Sequence, residues 1–359
     1  MLKKAAALLL VCASMATWIG CSSTSNSYLY AAIPASSEIV VYREDPNSGV
    51  LTQLTGSPIT AGPAVASIAI HPSNKFLYAA NSGEGDISLF RISSIGGLNE
   101  VTPRTPVTPN GTVPTLLAMD AAGSFLYVGN VGSGNISVFS IDASTGALTA
   151  VGTPFRIGNS STIMTNMKLS PSGGFLYVTV GGSPGYIEAF SLNQGVPTVV
   201  NNSPFTAGTN PNGLAIAPGG GFLYAANFFD NSISEFTINT DGSLSPISGS
   251  PIGESYSGPS ALLIDKSGNY LYVANQNSTN LAAFRIGSDG SLQVLTTSPF
   301  ATASQPSLLA TDAGGKYLFV GNQSNPMIQS YSLDTGSGTL TSVTTYVLPG
   351  TPNSFAVTP

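Results

Sequence analysis

A short phrase, aromatic–Leu–aromatic, returns seven times along the chain, and no other feature restricts the fold as much. The copies are Tyr28-Leu29-Tyr30, Phe76-Leu77-Tyr78, Phe125-Leu126-Tyr127, Phe175-Leu176-Tyr177, Phe222-Leu223-Tyr224, Tyr270-Leu271-Tyr272 and Tyr317-Leu318-Phe319. Their third residues are spaced 48, 49, 50, 47, 48 and 47 apart. A second aromatic landmark follows 12 or 13 residues later, at Tyr42, Phe90, Phe139, Phe190, Phe236, Phe284 and Tyr331. A Gly-x-Leu step comes next, as in Gly146-Ala147-Leu148 and Gly242-Ser243-Leu244. Steps such as Pro154-Phe155, Pro204-Phe205 and Pro299-Phe300 close most units. Self-similarity at a fixed period of this length means copies of one supersecondary unit, each unable to bury its apolar faces alone.

Each unit reads as four short strands. In residues 115–155 the strands are Leu116–Met119, Phe125–Asn130, Ile136–Ile141 and an outer one at Leu148–Val151, with turns at Ala121-Ala122-Gly123 and Asp142–Gly146. Val, Ile, Phe and Tyr fill the strands, while Gly, Asn, Ser and Asp fill the joints. The second strand is apolar on both faces, as in a sheet covered on both sides. No stretch sustains a helical period. The expected class is all-β: a seven-bladed β-propeller with four antiparallel strands per blade, filling residues 28–359 as one domain. The repeats open on a second-strand phrase, Tyr28-Leu29-Tyr30, and close on Pro352-Asn353-Ser354-Phe355-Ala356-Val357-Thr358-Pro359, which matches the first-strand phrases Pro211–Ala217 and Pro306–Thr311. The C-terminal strand is therefore expected to join the N-terminal blade, closing the ring and hiding two sheet edges.

Composition narrows the partners. Only 8% of residues are charged, against about 25% in ordinary soluble domains. Net charge is −6. Phosphate backbones need clustered Lys and Arg, so nucleic acid is not an expected partner. One His and two Cys exclude a zinc finger, a Cys/His metal centre and a disulfide framework. No calcium loop or Walker-type loop occurs, so only a metal held by loop carbonyls and carboxylates stays open. No cofactor is expected.

The first residues read as an export signal. Lys3 and Lys4 precede an apolar run of 15 residues, Ala5–Ile19, too short for a comfortable membrane span. Trp18-Ile19-Gly20-Cys21, followed by Ser22-Ser23-Thr24-Ser25, resembles a bacterial lipobox, with Trp18 in place of the usual Leu. This reading gives a signal peptide at 1–20, a tether at 21–27 and lipidation of Cys21, which would hold the protein on a membrane outside the cytoplasm. Removal of residues 1–20 takes the net charge to −8. Serines after Cys21, with no Asp-type retention signal, lean towards an outer membrane or the cell surface. The anchored domain is expected to be a monomer.

The phrases Phe125-Leu126-Tyr127-Val128-Gly129-Asn130, Tyr270-Leu271-Tyr272-Val273-Ala274-Asn275 and His71-Pro72-Ser73-Asn74-Lys75-Phe76-Leu77-Tyr78 resemble the second-strand motif of lactonase-type seven-bladed propellers. That group includes 6-phosphogluconolactonase and carboxymuconate cyclase, and the YVTN-repeat propellers share the phrase. The resemblance spans about residues 28–359. It implies a propeller and, as an activity, lactone hydrolysis. Its phrases specify blades and contain no catalytic residue, and fold does not fix function.

Ligands of propellers meet the face where the central channel opens between loops. Here that face is expected to comprise the joints from second to third strands and those leading into each inner strand. Arg156, Asp230, Glu254, Tyr186 and Tyr256 are its chemically distinctive residues. Arg156 could hold a carboxylate or polarise a lactone carbonyl. Glu254 or Asp230 could serve as general base towards water. Each is equally compatible with an ordinary solvated loop position. Asn81, Asn130, Asn227, Asn275 and Asn322 end second strands; they suit turn initiation, or a ring of amides towards a polar ligand. His71 precedes Pro72 in a turn expected on the opposite face. Gly181-Gly182-Ser183-Pro184-Gly185 matches Gly-x-Ser-x-Gly, but a strand follows where a nucleophile elbow needs a helix.

Two functions remain. One is a displayed propeller that binds a small molecule or a protein at its channel face. The other is hydrolysis of an extracytoplasmic lactone. Against a phosphorylated substrate stands the shortage of cations, Arg156 being the one obvious at that face. A redox propeller lacks haem ligands, since there is no Cys-x-x-Cys-His.

Overall fold

The structure is a computed structural model and describes residues 27–107, 111–158, 163–253, 255 and 257–358. The expected signal peptide at 1–20, the expected tether up to residue 26 with Cys21, Glu254 and Tyr256 lie outside the described residues.

Seven antiparallel sheets form the chain, each with the order inner, second, third, outer strand. In the third blade these are Pro114–Met119, Phe125–Asn130, Asn135–Ile141 and Leu148–Ala150. Five blades add a two-residue strand beside the third strand, such as Phe155–Arg156. In four blades a serine before this strand, Ser57, Ser203, Ser250 or Ser298, accepts the third strand's N–H on its Oγ. The first strand of the chain begins at Ser27.

Apolar side chains gather in seven clusters, one between each pair of consecutive blades. Period-2 alternation of the second strand feeds two of them at once. Tyr28, Tyr30 and Ala32 pack towards the second blade, while Leu29, Ala31 and Ile33 pack towards the seventh. The ring closes as expected. Residues 354–357 pair antiparallel with the first strand, Leu29 opposite Val357 and Ala32 opposite Ser354. Thr358 then donates its N–H to Tyr28 O and accepts the Tyr28 N–H on Oγ1.

The repeated phrase has a physical role at five of the blade junctions. Its third-residue phenol donates to a carbonyl in the next blade's turn: Tyr30 to Gly96, Tyr78 to Gly146, Tyr177 to Gly242, Tyr224 to Gly290 and Tyr272 to Gly338, at 2.7–3.0 Å. Its first aromatic ring lies flat against the same glycine. A Cβ on Gly242, whose φ is +84°, would stand 2.2 Å from the Phe175 ring. The Gly of the Gly-x-Leu step is thus required both for its left-handed backbone and for the approach of the neighbouring ring. Burial pushes these phenols well above the usual tyrosine range.

Candidate functional site

The seven inner strands wall a central channel. A chamber of about 250 Å³ is lined by residues from all seven: Ser67, Leu116, Asn166, Leu214, Ser260, Ser307 and Ser354 among them. A second chamber of about 240 Å³ shares Lys168, Leu214, Leu262 and Leu309 with the first and is otherwise apolar, with Ile216 and Ile264 on its wall. The channel therefore runs from a polar upper part to an apolar lower part.

A bulge shapes the upper end. In the register of inner and second strands one residue is left unpaired in each of six blades, namely Ala66, Thr115, Thr165, Asn212, Ser260 and Ser307. A bulged residue has no ladder partner and can be re-aimed. Several use that freedom to bind the adjacent blade. Thr165 Oγ1 donates to the Pro211 carbonyl, and Ser260 Oγ reaches the Pro306 carbonyl at 3.2 Å. Asn166 Nδ2 donates to Asn212 O at 3.0 Å, and Asn353 Nδ2 to Ala66 O at 2.8 Å. The Ser307 hydroxyl is buried without a partner among the described residues.

The five strand-ending asparagines are wholly buried. Their amides tie the second strand to the third. Asn81 Nδ2 donates to Asp86 and Ser88, Asn130 to Asn135 and Ser137, and Asn227 to Ser232 and Ser234, at 2.7–3.0 Å. Asn275 donates to Asn280 at 3.1 Å, and Asn322 to Gln329 at 3.3 Å. Asn227 Oδ1 also accepts the Gly208 N–H. In this arrangement they tie each turn between second and third strands.

Arg156 and Asp230 both lie on the channel face and both are exposed, but on the third and fifth blades, with a whole blade between them. Arg156 sits opposite Asn135, beside the third strand and so away from the axis. Asp230 accepts the backbone N–H of Thr209. Tyr186 opens the third strand of the fourth blade, opposite Val180 and Thr206, and packs partly buried against the cluster between the third and fourth blades. His71 lies on the opposite face. Its Nδ1 meets Ser73 Oγ at 2.8 Å and its Nε2 meets Gly123 O at 3.0 Å, locking its turn to the next blade.

Three residues were missed by reasoning from sequence. Glu188, half-buried on the third strand of the fourth blade, accepts the N–H of Gly158, two residues beyond Arg156, and burial raises its carboxyl above the usual range. Phe229, in the joint after Asn227, is 67% exposed and stacks edge-on with Phe228. Lys168 lines both chambers of the channel. Its side chain is exposed to the open space of the channel, and the protein wall around that space pulls its ammonium below the usual lysine value by desolvation. A signal for Lys168 was available: alignment of the repeats puts alanine or leucine at its position in every other blade.

Residues 21–165, 164–250 and 245–357 match the family described as lactonase, 7-bladed beta-propeller. Comparison with curated protein sequences finds no match. A candidate 6-phosphogluconolactonase from Bacteroides uniformis superposes with a TM-score of 0.79 at 20% identity, over 93% of this chain and 99% of that one. The periplasmic gluconolactonase of Pseudomonas aeruginosa gives 0.76 at 20% identity, over 93% and 99%. Hydrazine synthase of Kuenenia stuttgartiensis gives 0.63 at 18%, over 84% and 92%. Such distant likenesses carry the fold and leave chemistry to the site. With the family match running across nearly the whole propeller, the chain belongs to the lactonase family of seven-bladed β-propellers.

Proposed function

We propose that this protein is an exported, lipid-anchored propeller that binds a small polar ligand in its central channel. One observation carries this reading. The chamber wall offers hydroxyls, amides and one ammonium, yet among the described residues that line it there is no carboxylate and no imidazole. Hydrolysis of a lactone needs a base to activate water, whereas binding needs only donors and acceptors around an enclosed space. The export signal and Cys21 support the location.

Lactone hydrolysis is the second reading. Family membership favours it, and so does the pairing of one loop with two groups: Glu188 holds the Gly158 N–H just beyond Arg156. Burial that raises the Glu188 carboxyl also makes its carboxylate a stronger base. On this reading Arg156 polarises the lactone carbonyl, and Glu188, Asp230 or Glu254 activates water.

Turnover by residues 26–359 on gluconolactone, 6-phosphogluconolactone and an uncharged γ-lactone decides between them. Binding without turnover above the spontaneous rate is the expected result. Turnover abolished in Arg156→Ala or Glu188→Gln would install the hydrolase. For the anchor, Cys21→Ala should move the protein from the membrane to the soluble fraction.

A further inference from the structure

Lys168 is the one charged side chain among the described residues that line the channel. It stands on the inner strand of the fourth blade, opposite Tyr177. The matching places are those opposite the third residue of each repeated phrase. They hold Ala69, Ala118, Ala215, Leu263, Ala310 and Ala356. Six blades thus close the same position with an apolar side chain, so the fold does not require an ammonium there. No hydrogen bond or ion pair reaches Lys168 among the described residues; the ion pairs found there all involve Arg104. A charge whose hydration is restricted by the channel wall and that has no partner is costly, and an arriving anion offsets that cost.

The surroundings limit what that anion is. One ammonium, with no second cation among the described residues of the wall, matches a single negative charge and leaves a phosphate dianion half-compensated. Ser67, Ser354 and Asn353 stand above Lys168 on the neutral polar side. Ser354 Oγ accepts the Ile68 N–H at 3.2 Å, which leaves its own O–H to donate. Asn353 uses its Nδ2 on Ala66 and keeps Oδ1 as an acceptor. Below lie Leu169, Ile216 and Ile264, which offer nothing polar from their side chains. The upper chamber, at about 250 Å³, is near the lower limit of ~300 Å³ for small-molecule sites, which suits a compact ligand.

From this we infer that the channel is a binding site for a small hydroxylated monocarboxylate. The carboxylate pairs with the Lys168 ammonium, and the hydroxyls meet Ser67, Asn353 and Ser354. The inference deepens the binding function and rests on it. It also gives the channel a direction, charge at the junction of the two chambers and hydroxyls towards the mouth.

Calorimetric titration of the purified full-length protein tests it, with gluconate as the probe and glucose and inorganic phosphate as comparisons. Gluconate should bind, and Lys168→Ala should weaken it by about tenfold or more. Because six blades already carry Ala or Leu at this place, that variant should melt at or above the parent temperature, which separates loss of the site from loss of the fold. Lys168→Met, which keeps the length of the stem, should lose gluconate equally. Equal gluconate affinity in parent and variants overturns the site, as does an absence of gluconate binding. Phosphate binding as tightly as gluconate overturns the monocarboxylate class. If glucose or a lactone binds regardless of Lys168, the anion site falls and a binding propeller for neutral ligands stands. If lactones turn over while gluconate still competes through Lys168, the site stands and the binding-only function falls.

Discussion

The two faces of the ring use the same polar residue types for different ends. On the face away from the channel mouth, the polar side chains of the turns are consumed by the fold, with Glu44 at a strand end as the exception. Asp265, 1% exposed, accepts the N–H groups of Asn269 and Tyr270 on one oxygen and the Ser267 N–H on the other. Asp312 and Asp120 cap the corresponding turns of their blades. In the outer turns Asp142, Asp241, Asp289 and Asp334 take N–H and O–H groups from nearby residues, chiefly Ser and Thr. Those hydrogen bonds hold their carboxyls low, Asp142 at about 2. Along the channel the pattern differs. Lys168 has no partner among the described residues, Ser307 Oγ is buried without one, and Ser354 and Asn353 keep hydrogen-bonding capacity. Polar groups that a fold leaves uncommitted inside an enclosed space are where its ligand chemistry belongs.

Five changes put pressure on that contrast, and closure comes first. Without residues 350–359 the first blade loses its inner strand and two apolar clusters lose a wall. The expected loss is on the order of the whole stability of a domain, ~5–15 kcal/mol, so a melting curve unchanged by the truncation would mean that the ring holds without this strand. Next in size is Asp265→Ala, which strands buried N–H groups. It should cost about 2–3 kcal/mol and lower Tm by roughly 5 °C, with ligand affinity unmoved. A change in affinity instead would mean that the two faces are coupled.

Glu44 brings pH into the comparison. It is 2% exposed, at the end of the third strand of the first blade, and neither of its oxygens has a hydrogen-bond partner among the described residues. Burial, partly countered by the neighbouring Ser27 hydroxyl and reinforced by the charges of Asp312 and Asp45, pushes its carboxyl up to about 7. The folded state therefore holds this proton more tightly than the unfolded state, whose carboxyl titrates near 4.5. Its contribution is complete below pH 4.5 and is lost as pH rises through 7. Glu44→Gln should melt with the parent at pH 4 and, after allowance for solvent screening, exceed it by about 1–2 kcal/mol at pH 8. Melting curves that stay superimposed at both pH values would remove Glu44 as the source.

Smaller effects probe single contacts. Tyr224→Phe removes the phenol's bond to Gly290 and should cost about 1 kcal/mol. The seventh blade already carries Phe319 at that position, so the ring itself should persist. Asp230→Asn, on an exposed loop, should change stability by less than about 0.5 kcal/mol. An effect above 1 kcal/mol would show its bond to Thr209 to be structural.

The blades were legible because every device that builds them is local and repeated. Leu29 and its six counterparts, the aromatic residues beside them, and the glycines of the outer turns recur at a fixed spacing, and seven copies average out the irregularities of each. The site was legible only in part. Arg156, Asp230 and Tyr186 stood out by residue type, but type does not say on which blade a loop residue stands or what it packs against. The asparagines stood out by recurrence, and in five blades their amides tie the turn between second and third strands. Lys168 was overlooked for the opposite reason. It occurs once, inside a strand, and its meaning comes from departing from the repeat.

By itself the sequence determined the number of blades, the order of strands within each, and the closure of the ring by its last segment, because periodic burial of Tyr, Leu and Phe leaves one economical arrangement. Only the tertiary structure decided which polar groups are spent and which remain. That depends on what the next blade presents across a few ångströms. Thr165 is answered by the carbonyl of Pro211 and Asn166 by that of Asn212, while the channel that all seven inner strands create brings no partner among the described residues to the ammonium of Lys168.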